Sequence, residues 1–307
     1  MAGGARADGR NDYNLVLLCV RENVARTVAN LGVYREFIAP KKVVVVGSAE
    51  LRAAVPEDGD TAFLDEDALL PGLTLGAVRE EIARADMGAA GRAGWYFQQF
   101  LKLAYALVCA DGQYLAWDSD TVPLHAVRMK SGGSFVFDVK TEHNRAYFDT
   151  LGRILPGLKK EHDFSFVSEH MLFDTGIVTE MVRRIEGGSG VPFWRVVLRS
   201  IGKKDLAGSG FSEFETYGTY TMRFHPGAYT TRRWRSFREE AVFFPRGISA
   251  ADFNRLGMGY DAKSFESHRS HRRLARVLGR RPFQSRWFIA LFVRAKELAK
   301  AALSLGG

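Results

Sequence analysis

The sequence predicts an α/β protein, a sheet covered by helices on both faces, followed by a basic, mostly helical C-terminal extension. Two observations carry this. Two short runs rich in β-branched residues, NLVLLCV (14–20) and KKVVVVG (41–47), flank a polar stretch of helical periodicity, RENVARTVANLGVYREF, which makes a β-α-β opening. GWYFQQFLKLAYALVCADG (94–112) repeats its apolar positions every three or four residues, stops at an Asp-Gly pair and runs into a further strand, YLAWDSD. Parallel strands joined by crossover helices are covered on both faces.

The 307 residues, 46% hydrophobic and 25% charged, suffice for a large core in one elaborated domain or two small ones. Two cysteines, Cys19 and Cys109, each inside an apolar segment, read as reduced buried thiols and argue against a disulfide scaffold, which fits a cytoplasmic protein. Residues 1–12 read as a flexible leader, 13–245 as the α/β domain and 246–307 as the basic extension. No apolar run approaches the roughly 20 residues that cross a bilayer.

Along the chain, PEDGDTAFLDEDALLPGLTLG (56–76) is punctuated by Pro, Gly and Asp and reads as loop. SFVFDVK (134–140) alternates like a strand. FVSEHMLFDTGIVTEMVRRI (166–185) starts as a turn or strand end and finishes as a helix. FSEFETYGTY (211–220) alternates aromatic and acidic residues, which in an extended segment puts Glu213 and Glu215 on one side.

The paired acids of YLAWDSDTVPL raise the sharpest chemical question, because like charges placed two residues apart resist burial. Asp118 and Asp120 project to the same side of an extended segment and can meet one cation. Oxygen ligands suit Mg2+ or Mn2+, with positions left for water and phosphate oxygens. In open α/β sheets ligands gather outside the carboxyl ends of the strands, where these acids stand. The bland alternative is a solvated turn after a strand.

Taken in order, GWYFQQFLKL, YLAWDSDTVPL, FVSEHMLFDTGIV and FSEFETYGTY resemble an uncharacterised bacterial family related to the GT-A class of nucleotide-sugar glycosyltransferases, over about residues 14–229. The resemblance implies a Rossmann-like GT-A fold, a mixed sheet flanked by helices, with a nucleotide-sugar donor, and Mn2+ or Mg2+ held through the D-x-D motif by Asp118 and Asp120. The expected activity is transfer of a sugar to a glycan or glycolipid acceptor in bacterial surface polysaccharide synthesis. Gln98, Gln99 and Lys102 lie within about one helical turn and are candidates for donor binding, or else a packed helix face. Glu213 or Glu215 is the candidate general base of an inverting reaction. His170 and Asp174, four apart, would be helical neighbours facing the acceptor, or a satisfied core histidine with its carboxylate. His268, or His271, is a candidate third metal ligand, as a late histidine is in several GT-A enzymes.

The balance is basic, +8, with Arg and Lys concentrated after residue 230. RRPFQSRWFIALFVRAKELAKAALSLGG pairs an apolar patch with flanking cations, the composition of a helix peripheral on an anionic membrane surface, here the inner face of the plasma membrane. The alternative is a last helix docked on the protein's own core. A nucleic-acid binder, a nucleotidyltransferase and a catalytically silent GT-A domain are the competing readings; nucleic acid is the less favoured partner, and no Gly-rich phosphate loop supports the nucleotidyltransferase.

Overall fold

The computed structural model describes residues 9–266 and 269–304. β1 (Asn14–Leu18) leads through α1 (Val24–Ala29) and α2 (Leu31–Ile38) to β2 (Val43–Gly47) and β3 (Thr61–Asp65). α3 (Leu75–Ala85) and α4 (Ala93–Ala104) precede β4 (Gln113–Asp118), β5 (Thr121–Pro123), β6 (Lys130–Ser131) and β7 (Ser134–Val139). Next come α5 (Arg145–Ile154), β8 (His170–Asp174), α6 (Thr175–Glu186), α7 (Phe193–Ser200), α8 (Lys203–Leu206) and α9 (Glu213–Phe224). The chain continues through β9 (Tyr229–Arg233), β10 (Ser236–Phe237), α10 (Glu240–Phe243), α11 (Ala250–Arg255), β11 (Ala262–Ser264), α12 (Arg269–Leu278) and α13 (Arg286–Ser304).

Contacts divide the chain into two units, one running to Ser119 and again from Arg128 to Trp234, the other made of Asp120–Val127 and the chain from Arg235 onward. In the first, a five-stranded sheet has the order β3-β2-β1-β4-β8. Its first four strands are parallel, and β8 runs antiparallel to β4. The expected α/β class with a mixed sheet is what forms. Strands β1 and β2 bury both faces: Val16, Leu18, Val44 and Val46 join the main core, and Leu15, Leu17, Val43 and Val45 are equally hidden. That is why these runs read as unbroken apolar blocks. A smaller sheet, β6-β7-β9, completes this unit.

Several sequence expectations need correction. Within the supposed loop at 56–76, TAFLD pairs in parallel with β2 as edge strand β3; five residues flanked by Asp and Gly are too short a signal to stand out. Part of the supposed flexible leader is tied down: Arg10 pairs with Asp60, Asn11 donates to the Ile38 carbonyl at 2.6 Å and Asp12 accepts from Lys130 at 2.8 Å. Residues 1–8 lie outside the described residues. The segment at 211–220 is the start of helix α9, not an extended strand. Ser212 caps it, its side chain accepting the Glu215 N–H at 3.2 Å. Every residue from Glu213 to Thr221 is buried, so no polar face marks a helical period.

Helix α9 packs so tightly that Gly218 has no room for a methyl: a Cβ there would stand 2.5 Å from Cδ1 of the buried Phe166 ring. Gly218→Ala is therefore expected to lower stability by about 1–3 kcal/mol through overpacking, although alanine is the better helix former by about 1 kcal/mol. Urea denaturation checks this, and an unchanged or raised midpoint would contradict it.

In the second unit, β10, β11 and β5 form a small sheet over a core of Leu124, Phe237, Phe243, Phe253 and Ile289. Lys263 Nζ bonds both carboxylate oxygens of buried Glu240 at 2.9 Å. Among the described residues, no helix is long and apolar enough to cross a membrane.

Candidate active site

Strand β4 carries an apolar run to the sheet edge and delivers Asp118 as its last residue, opposite Leu18 of β1. Strand β1 pairs with β2 on one side and β4 on the other. The strand order therefore reverses between β1 and β4, the kind of position outside which doubly wound folds bind ligands. At the neighbouring strand ends, a Cβ on Gly47 would fall 2.9 Å from the Cys19 carbonyl oxygen, so glycine lets β1 and β2 close together here. On the same edge, just past β3, burial together with Asp67 and Asp65 pushes the Glu66 carboxyl up to about 7.

The positive partner of Asp118 is Lys102. Its ammonium donates to Asp118 Oδ1 and to Glu213 Oε1, each at 2.7 Å, and lies 4.3 Å from the Phe214 ring centroid. The lysine and Glu213 side chains are 7% and 4% exposed, whereas that of Asp118 is 37% exposed. Burial alone would lower the lysine's pKa, but the two carboxylates outweigh it and hold the ammonium above its ordinary value. Two acids and one base leave the cluster with one formal negative charge, and Asp118 is its open end.

The other predicted site residues fall into place around this cluster or away from it. Gln99 accepts the Glu213 N–H at 3.3 Å, so it orients the start of α9; Gln98 is half-buried on α4, one turn before Lys102. Glu213 and Glu215 do not share a side. Glu215 bonds the Ser165 hydroxyl, and burial raises its carboxyl above the ordinary range. Both glutamates are 3% exposed, which leaves neither open to an acceptor hydroxyl in this arrangement. Asp120 belongs to the second unit, where its carbonyl accepts from Phe265 N–H at 2.8 Å and its carboxylate from the Thr121 hydroxyl at 3.3 Å.

His170 and Asp174 are not helical neighbours. They stand at opposite ends of β8, about 13 Å apart along an extended chain, because HMLFD pairs with β4 in the register Trp117↔His170 and Gln113↔Asp174. Asp174 caps α6, accepting the Ile177 N–H at 3.1 Å. His170 is a satisfied core histidine, with Asp138 in place of the anticipated Asp174. Its Nε2 lies 2.8 Å from Asp138 Oδ2 and its Nδ1 3.0 Å from the Ser168 carbonyl oxygen. The ring stacks on Trp117 at 4.3 Å and meets Trp234 edge-on at 4.5 Å. Burial would raise the Asp138 carboxyl, but bonds from His170 and Arg232 hold it below the usual range.

Sequence reasoning missed Glu169. Its carbonyl accepts the Asp118 N–H at 2.8 Å, its side chain pairs with Lys140, and it is held at φ +66°, a left-handed conformation costly for a residue with a Cβ. It also missed Asp138 and Arg232. The available signal was an acid inside an alternating strand, since a buried carboxylate demands a cationic partner.

His268 lies outside the described residues. Among the described residues no three His, Cys, Asp or Glu side chains gather as a cage for a metal ion. Asp118 nonetheless suits a hard cation: it is a carboxylate with more than a third of its side chain in solvent, and such ions are held through one or two carboxylates when phosphates complete the shell.

No protein-family model and no curated protein matches the chain. Among solved structures it is similar to the crystal structure of mouse xyloside xylosyltransferase 1 in its apo form, at 13% identity over 82% of this chain and 97% of that one, with a TM-score of 0.41.

Proposed function

We propose that the protein is a glycosyltransferase that binds a nucleotide-sugar donor, as its Mn2+ or Mg2+ complex, outside the carboxyl ends of β1 and β4, and passes the sugar to a glycan or glycolipid acceptor. The carrying observation is Asp118 where the strand order of the sheet reverses, set by a buried lysine and with more than a third of its side chain in solvent. A divalent ion there would offset the charge of the departing diphosphate. Asp118 would hold that ion, and the D-x-D spacing of the sequence offers Asp120 as a second carboxylate. Lys102 fixes the Asp118 carboxylate through one oxygen, and Glu213 fixes Lys102 in turn. Within this reading Glu213 and Gln99 are positioning residues, Gln98 is free to meet the donor, and the buried His170 pair supports β4 from beneath. Assembly of a bacterial surface glycan is the setting this proposal extends to.

The test is a thermal-shift series with UDP-, GDP-, dTDP- and CMP-sugars, in Mn2+ or EDTA, on the wild type, Asp118→Asn and Asp120→Asn. A ligand at a hundred times its Kd stabilises by about 2.7 kcal/mol, a shift of several degrees. One nucleotide class is expected to give it in Mn2+ only, and both variants to weaken it at least about tenfold, the loss of one charge-assisted contact of about 1.4 kcal/mol or more. A shift indifferent to EDTA and to both substitutions, or none with any sugar nucleotide, would refute the reading.

A further inference from the structure

Helix α13 is docked on its own unit by one face and yet carries a second apolar face. Ile289 is fully buried, with Phe288, Phe292 and Val293 packed beside it against the second unit's core, and Lys296 Nζ bonds Glu239 Oε1 at 2.6 Å. On the opposite side Trp287, Leu291 and Leu298 are 74%, 67% and 64% exposed. At about 100° per residue these three fall within roughly 40° of one another, a stripe about 16 Å long. Arg294 lies on the same side, and the Arg286 guanidinium stands 4.8 Å from the Trp287 ring centroid.

A helix that only closes a core has no use for leucines and a tryptophan on its outward face. Charge says what covers them. The second unit has 15 Arg and Lys against 7 Asp and Glu, a surplus of eight that equals the +8 of the whole chain. From residue 269 to 300 there are ten Arg and Lys and one acid, Glu297. A nucleic acid would use the arginines and leave the aliphatic stripe in water, whereas an acidic lipid surface takes both.

We propose that the outward face of α13 docks flat on an anionic lipid surface, with Trp287, Leu291 and Leu298 at the acyl boundary and Arg286 and Arg294 among the headgroups. The helix need not cross the bilayer, and the proposal is independent of what the first unit binds. Trp287 suits that boundary, its ring being apolar with one polar N–H.

Vesicle flotation of the full chain tests it, using phosphatidylcholine alone and an equal mixture with phosphatidylglycerol. The wild type is expected to float with the mixed vesicles only. Trp287→Ser/Leu291→Ser keeps the charge and is expected to lower partitioning at least about tenfold, because apolar burial and electrostatic attraction add in such helices. Arg286→Gln/Arg294→Gln is expected to weaken it as well, more so at low salt. Both pairs are surface changes, and unchanged melting curves verify the fold. Three results would overturn the proposal: equal flotation of the serine variant, which means bare polybasic attraction; binding of single-stranded RNA in place of vesicles; or a dimer in sedimentation velocity that the serine variant dissolves.

Discussion

Lys102→Met is expected to destabilise the protein by about 3–5 kcal/mol, the cost of leaving buried charge without its partner. The side chain of Glu213 is 4% exposed, so its carboxylate has no water to turn to once the ammonium is gone, and Asp118 is left as the second negative charge of the same cluster. The companion double variant, Lys102→Met/Glu213→Gln, removes both buried charges and is expected to recover most of that loss, as contacting residues are non-additive. Urea unfolding of the two single variants and the double reads the coupling. A lysine variant within about 1 kcal/mol of wild type would show that the cluster contributes nothing to the fold. The recovered double variant also separates the two roles of the lysine: if folding returns and nucleotide-sugar binding does not, Lys102 orients Asp118 for the ligand.

The second large effect is expected at Asp138. Asp138→Ala removes the acceptor for His170 Nε2 and for two Arg232 nitrogens, the latter at 2.7 Å each, and is expected to cost about 3–5 kcal/mol. Arg232, with a side chain 40% exposed, can swing into water; His170, stacked between Trp117 and Trp234, cannot. The effect has a pH signature. The carboxyl is held below its unfolded value of about 3.9, so its contribution is fully present above that value and is lost as pH falls through the folded one. The wild type should therefore lose stability on acidification below about pH 4 more steeply than Asp138→Ala, the two curves converging at the acid end. Parallel acid limbs would show that Asp138 is not the charged member of the pair.

The two expected losses concern the two supports of β4. Lys102 reaches Asp118 from α4, and the His170 ring lies against Trp117, the preceding residue. Glu169, the residue before β8, completes the frame by a backbone bond to Asp118. The Asp118 carboxylate is thus set by one charged group, Lys102, that is itself buried and partnered, on a strand end held by the Glu169 carbonyl. Under the proposed function, a carboxylate fixed in this way would meet an incoming metal–diphosphate without reorganising.

How far the sequence reaches is clearest at particular elements. Strands β1, β2 and β4 were legible because burial on both faces leaves an unbroken apolar run, and α4 because its apolar residues recur at helical spacing. The Asp-Ser-Asp at a strand's end followed from the same reading. β3 was not legible, being five residues at a sheet edge among turn formers, and α9 was misread because an aromatic-acidic alternation mimics a strand when a helix is buried on every side. The partners of the charged groups were beyond the sequence altogether: Lys102 meets Glu213 across 111 positions, and Asp138 meets His170 across 32 and Arg232 across 94. Local pattern encodes which face of an element is apolar and where an acid stands at its end. Which cation neutralises that acid depends on how elements distant in sequence pack, and only the tertiary structure brings them within 3 Å.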